Sequence, residues 1–282
     1  MTKDPETKEF MMIIRFANKG NLRSSLSNKF NYILWGKKIV ILQDASRDLR
    51  DLHKLGYFHK DFHSGNILQI YGNNYISDFG LSGPANEQKS DDKVYGVMPY
   101  IAPEVLNGEE YTSSSDIYSF GVVMAEVSSG KPPFHKRKHD ASLALAICNG
   151  LRPEFGKGTP EIYKKLAHRC MNADPNQRPT ANELLDIFNF WYNSIRWNYQ
   201  GEKFGYKREE IKAVFEEADK EIPNFSTSYE KNSDAVYTSR AFTFSKLLPK
   251  PVNSSIITSY VNDEESDKSI FHFRIFIFLK IV

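Results

Sequence analysis

Asp61 and Asn66 stand five positions apart in His59-Lys60-Asp61-Phe62-His63-Ser64-Gly65-Asn66-Ile67-Leu68, directly before an apolar strand start. An aspartate can take a proton from a hydroxyl, and an asparagine can offer a neutral oxygen to a hard metal ion. Twelve residues after Asn66 comes Asp78-Phe79-Gly80, a second carboxylate where a glycine lets the backbone turn. One base and two oxygen ligands are the groups that phosphoryl transfer asks of a protein, and a loop on a rigid scaffold is where such groups are presented.

The neighbouring segments must hold these residues in place. Lys38 to Leu55 sets Ile41, Ala45, Leu49 and Leu52 at helical spacing, and Gly56 suits a left-handed helix end. That helix delivers the chain to the Asp61 loop. Ile67 to Ile70 and Tyr75 to Ser77 flank Tyr71-Gly72-Asn73-Asn74, so a hairpin is expected with Asn66 and Asp78 at its open end. Upstream, Phe10 to Ala17 predicts a buried strand closed by the turn Asn18-Lys19-Gly20-Asn21. Downstream, Leu81 to Pro99 is polar and aperiodic and predicts a mobile surface loop.

A helix over Ser115 to Val127 is apolar on nearly all sides and belongs in the centre of a helical body. Further helices are predicted over Ser142 to Cys148, Glu161 to Met171 with Thr159 as N-cap, and Ala181 to Ile195 with a Thr180/Glu183 capping box. Ile211, Val214, Phe215, Ala218 and Ile222 form an apolar stripe that ends at Pro223. From Asn224 to Ser269 the polar content rises and the composition predicts a mainly disordered tail. The closing FHFRIFIFLKIV segment has strand chemistry and is an aggregation hazard if unpaired.

The 282 residues are 40% hydrophobic, enough for a sizeable core in one large domain or two small ones. With 37 basic and 35 acidic side chains the net charge is +2, which gives no electrostatic case for nucleic acid or an anionic membrane as partner. Cys148 and Cys170 have no metal-ligand spacing, and a reducing, cytoplasmic setting is expected. The last apolar run, Ile270 to Val282, carries His272, Arg274 and Lys280 and is too short and charged to span a bilayer.

The order of motifs resembles the C-terminal lobe of eukaryotic protein kinases, and most closely their tyrosine-kinase-like branch. His59-Lys60-Asp61 stands where the family has HRD, Asp78-Phe79-Gly80 where it has DFG and Ala102-Pro103-Glu104 where it has APE. Asp116 and Gly121 resemble its buried-helix Asp and Gly, and Arg178 resembles its late structural Arg. The implied fold is α+β and mostly α, a helical bundle with a short β hairpin and an N-terminal lobe largely absent. The implied segments are a lobe remnant over 1–22, the main lobe over 23–200, an accessory helix over 201–223 and a tail over 224–282.

The resemblance implies ATP and Mg2+ as cofactors and a protein substrate, with Ser or Thr favoured over Tyr. Asp61 would act as the base, and Asn66 and Asp78 would hold magnesium. Leu68 would lie beneath the adenine ring, and Arg15, Phe16 and Ala17 would meet its edge. Ile14 would be the gatekeeper, and Asn21 belongs to the same nucleotide-binding set. Arg178 would pair with Glu104, and Asp116 would hold the Asp61 loop.

The sequence departs from the family in having no glycine-rich phosphate loop and no VAIK-type Lys before residue 10. Three readings follow from this. The chain is a kinase whose small lobe is missing from the sequence, a catalytically inactive kinase-like module that holds regulatory partners, or a lobe completed by a separate chain.

Overall fold

Helix α2, Trp35–Lys54, turns Ile39, Ile41, Leu42, Ala45 and Leu49 inward, and all are buried. The structure is a computed structural model, describing residues 2–11, 15–84, 93–197, 200–224, 228–243 and 248–255. Two short strands, β1 (Thr2–Lys3) and β2 (Phe10–Met11), form an antiparallel N-terminal pair. Helix α1, Leu22–Lys29, follows, and Asn21 caps it by accepting from Ser24 N at 2.9 Å. The buried strand expected over Phe10 to Ala17 is not what its described ends show, since Phe10 is 76% and Phe16 83% exposed.

Strands β3 (Ile67–Ile70) and β4 (Asn73–Ile76) pair antiparallel, Ile67 opposite Ile76. The predicted hairpin is there with a tighter turn, because Tyr71 and Gly72 both take left-handed φ values and carry the reversal alone. Asn73 and Asn74 are therefore strand residues. Strand β5, Val94–Gly96, lies inside the segment predicted to be a mobile loop. The short helix α3, Pro103–Leu106, leads into α4, Ser113–Ser129, which is buried along almost its whole length as its composition predicts.

Helices α5 (Ala141–Cys148), α6 (Glu161–Cys170) and α7 (Ala181–Arg196) complete the body. Gly121 of α4 allows close approach to α6, since a Cβ there would stand 2.7 Å from Met171 Cγ and 2.8 Å from Cys170 Cβ. The Thr180/Glu183 capping box forms as predicted. Thr159 does not cap α6; its hydroxyl donates to the Gly156 carbonyl at 2.6 Å, and Pro160 takes the cap position. After the small pair β6 (Glu202–Lys203) and β7 (Tyr206–Lys207), helix α8, Arg208–Glu221, docks on α2 and α7 through Ile211, Phe215 and Ala218. Val214 of the predicted stripe is left 38% exposed.

The tail differs most from expectation. Instead of disorder from residue 224, residues 228–243 and 248–255 run along the helical body, and strand β8 (Arg240–Phe242) pairs antiparallel with β5. Ala235 and Phe242 are buried, Asn232 N donates to the His135 carbonyl at 2.9 Å, and Asn253 accepts from Ala173 N at 2.7 Å. Composition reads low hydrophobicity as disorder, but here backbone pairing and a few apolar anchors replace a continuous apolar face. The FHFRIFIFLKIV segment lies outside the described residues. Among the described residues no helix is long and apolar enough to cross a membrane.

One buried cation ties α2 to the accessory helix. Lys38 Nζ sits 4.0 Å from the Phe30 ring centroid and 4.6 Å from that of Trp35, and burial lowers its pKa to about 7 against the pull of Asp219. An unfolded Lys stays protonated to about pH 10.4, so above pH 7 the unfolded chain binds more protons and stability rises with pH. The rise should reach roughly 1 kcal/mol per pH unit, up to about pH 8, before the unfolded thiols ionise at about pH 8.5. The buried thiols of Cys148 and Cys170, pushed up to about 11 and about 12, then reverse the slope. Urea melts at pH 7 and pH 8 should show this gain in the native chain and lose it in Lys38→Met; an unchanged slope in the variant would refute the assignment.

Candidate active site

The Asp61 loop is held from below by one buried carboxylate. Asp116, in the first turn of α4, accepts His59 N at 2.8 Å and Lys60 N at 3.0 Å, and its Oδ2 lies 2.9 Å from His53 Nε2. These bonds grip a loop in which Lys60 is forced to φ 66°, a conformation that L side chains rarely adopt. Lys60 Nζ in turn donates to the Pro84 carbonyl at 3.1 Å. The role expected for Asp116, holding the loop backbone, corresponds to these contacts.

His59 connects the loop to the hairpin. Its Nε2 donates to the Ser77 carbonyl at 3.0 Å, while Ser77 N and Oγ donate to the Asn66 carbonyl at 2.8 and 2.9 Å. Asp78, the next residue, is exposed and is a second left-handed residue at φ 63°. Asn66 is buried and donates Nδ2 to the Asp61 carbonyl at 3.0 Å. Only an amide N–H can make that bond, so the orientation of the carboxamide is set and its oxygen is left as the free end.

The Asp61 carboxylate is buried, which raises its pKa, and the nearby Ser239 hydroxyl and Val97 N act against that rise. Nearby Asp78 adds a like charge that raises it further. His63 Nε2 lies 3.8 Å from Asp61 Oδ2, but this is not an ion pair. Burial first, then the charges of Arg23 and His59, lower the His63 pKa to about 3, so the ring is neutral. Its Nδ1 accepts from Gly65 N at 3.0 Å, which leaves the proton on Nε2, facing the carboxylate.

Above the loop lies a network that sequence reasoning did not anticipate. Arg23 of α1 donates Nε to Ser64 Oγ at 3.2 Å, Nη2 to the Tyr100 hydroxyl at 3.3 Å and Nη1 to the Tyr237 carbonyl at 3.0 Å. The Tyr100 hydroxyl donates to Glu126 Oε2 at 2.6 Å, and Arg23 Nε lies 3.8 Å from Glu126 Oε1. Burial raises the Glu126 pKa, and Arg23 and Tyr100 oppose that rise. The sequence signal was present, since a Glu next to the apolar run of α4, in its last turn, needs a partner. That partner comes from a helix about a hundred residues away and could not be read from spacing.

The family profile described as "Protein tyrosine and serine/threonine kinase" matches residues 2–188. The chain belongs to the eukaryotic protein kinase superfamily. Among its curated relatives in Dictyostelium discoideum, one named "Probable serine/threonine-protein kinase" is 31% identical over 178 residues, covering 62% of this chain and 11% of the relative. A second of that description is 32% identical over 196 residues, covering 65% of the chain and 18% of the relative. A third, named "Probable LIM domain-containing serine/threonine-protein kinase", is 27% identical over 183 residues, covering 64% and 19%. The chain thus spans a fifth or less of the length of these relatives.

Within the kinase fold, Asp61, Asn66 and Asp78 come together through the loop and hairpin contacts. The residues expected to meet a nucleotide are only partly grouped. Asn21 and Leu68 form an antiparallel bridge, and Gln69 N donates to the Gly20 carbonyl at 2.9 Å, which places the turn after Ala17 beside β3. The side chain of Asn21 is engaged as the α1 cap, Arg15 and Phe16 are exposed and Ala17 is partly buried. Ile14 lies outside the described residues.

The base of the site rests on Arg178, whose Nη1 and Nη2 each lie 2.7 Å from a Glu104 oxygen, with Nε donating to the Asn172 carbonyl at 2.8 Å. Both side chains are buried, so removing one partner leaves the other charge without compensation. Arg178→Met should cost roughly 3–5 kcal/mol. The double change Glu104→Met with Arg178→Met should cost less than the single one in urea denaturation, and additive costs would contradict the pairing.

Proposed function

We propose that this chain transfers a phosphoryl group from ATP to a Ser or Thr hydroxyl of a protein, with Asp61 as the base. The supporting observation is the convergence of Asp61, Asn66 and Asp78: Asn66 donates to the Asp61 carbonyl, and the charge of Asp78 is felt at Asp61. The preference for Ser/Thr over Tyr follows the printed names of the relatives.

The donor set fits a magnesium-bound nucleotide. Asn66 keeps an amide oxygen free while its Nδ2 is engaged, and among the described residues the Asp78 carboxylate has no hydrogen-bond partner. Among the described residues no group of three or more His, Cys, Asp or Glu gathers to hold a metal. Two protein oxygens suit a cation that keeps waters and phosphate oxygens around it, rather than a closed protein cage. Bound there, magnesium would neutralise charge on the phosphates. Asp61 orients the acceptor hydroxyl and takes its proton, and its raised proton affinity makes it a better base than an ordinary aspartate. Neutral His63 adds no positive charge beside that base.

A second reading, in which another chain covers the N-terminal face, is favoured by the exposure of Phe10 and Phe16. It is compatible with the same chemistry.

Transfer of labelled γ-phosphate to a generic acceptor protein in the presence of magnesium tests the proposal. Asp61→Asn should lower the rate by roughly 10²–10⁴-fold with the fold intact by circular dichroism. The native rate should fall on acidification while pH is still above the usual carboxylate range, because burial makes Asp61 protonate early. Label transfer indifferent to Asp61→Asn would end the proposal.

A further inference from the structure

Strand β8 pairs in register with β5, Val94 with Phe242, Tyr95 with Ala241 and Gly96 with Arg240. This register places Ser239, one residue before β8, at the catalytic loop. Gly96 has φ +137°, and a Cβ built on it would lie 3.4 Å from Asp61 Oδ1, so the β5 end and the Asp61 carboxylate are in direct contact. The Ser239 hydroxyl is near enough to that carboxylate to lower its pKa as a hydrogen-bond donor does. Strand register and the approach of β5 to Asp61 therefore bring one hydroxyl to the base.

Neighbouring contacts hold the segment on both sides. Before Ser239, the Tyr237 carbonyl accepts from Arg23, its ring lies 5.1 Å from the guanidinium and its hydroxyl donates to the Pro133 carbonyl at 2.8 Å. After Ser239, Arg240 donates to the His139 carbonyl, and Phe242 is buried in the main core. Ser239 as a residue stays exposed and is not locked in the core. A segment that only blocked the groove would need no hydroxyl at this place.

We infer that residues 237–242 are an intrachain acceptor segment and that Ser239 receives the phosphoryl group. The inference rests on the proposed transfer activity with Asp61 as base. In the step, the Ser239 oxygen forms a bond to the γ-phosphorus of a nucleoside triphosphate. The bond from that phosphorus to the bridging oxygen breaks, the nucleoside diphosphate leaves and the hydroxyl proton passes to Asp61. The product carries close to two negative charges beside Asp61 and Asp78. Like-charge repulsion then drives the segment off, and the edge of β5 becomes free to pair with another protein strand. The acceptor class implied is an extended segment with an aromatic residue two before the serine, Arg one after it and Phe three after it.

The test uses the full chain, phosphatase-treated and incubated with magnesium and ATP at several concentrations, with a generic acceptor protein present in parallel. Phosphosite mapping should place label on Ser239, at a rate per chain that does not change over a hundredfold dilution. Ser239→Ala should lose at least tenfold of the label on the tail segment, Ser239→Thr should restore it, and Phe242→Asp should lower it by releasing the segment. Label on the acceptor protein with none on Ser239, or Ser239 labelling in proportion to chain concentration, would overturn the inference and leave the transfer activity standing. Label on neither, with Asp61→Asn indistinguishable from native, would overturn both.

Discussion

The carboxylate of Asp116 is the contact on which the site geometry depends. It is buried at the start of α4 and accepts two consecutive backbone N–H groups from a loop that contains a left-handed lysine. Backbone donors at adjacent positions converge on one acceptor only when the chain turns sharply between them, so these bonds and the strain at Lys60 belong together. Without them the strain would relax by moving Asp61. Because α4 is packed on all sides, the anchor hardly moves, and the rigidity of the core is passed to an otherwise irregular loop.

A second constraint acts from the opposite side. Arg23, Tyr100, Glu126 and Ser64 form a largely buried polar network whose remaining donor goes to the Tyr237 carbonyl in the tail. Such networks discriminate sharply between satisfied and unsatisfied arrangements, because an unpaired group in a low-dielectric interior is costly. This gives a polar tail a defined docking position even though its own sequence has no amphipathic period. A cavity lined by Lys131, His135, Arg152 and Phe155 among others includes none of Asp61, Asn66 or Asp78, and Asp61 lines a much smaller, separate pocket with Lys60, Val97 and Tyr111.

Much of the framework was legible before the structure. Apolar periodicity located α2, α7 and α8 because each buries a face, and burial leaves a 3.6-residue trace in composition, whereas α4 stood out as an apolar run on nearly all sides. Gly56 ends α2 at φ +76° as its position suggested. Misreadings arose where backbone hydrogen bonds do the work. Strand β5 and strand β8 are three residues each, too short for a period, and their partners lie almost 150 residues apart. Thr159 has the right chemistry to cap α6 but stands one residue before the cap position, which Pro160 takes, and its hydroxyl bonds the Gly156 carbonyl.

For this protein the sequence alone determined the family, the helical body, the hairpin that carries Asn66 and Asp78, and the buried pair of Glu104 with Arg178. Each rests on residue types whose chemistry is local or whose motif order is distinctive. Only the tertiary structure decided that His63 is neutral, that Arg23 and Glu126 share a network, and that the tail returns to set Ser239 on Asp61. These depend on desolvation and on contacts between distant segments, and neither quantity exists until the chain has folded.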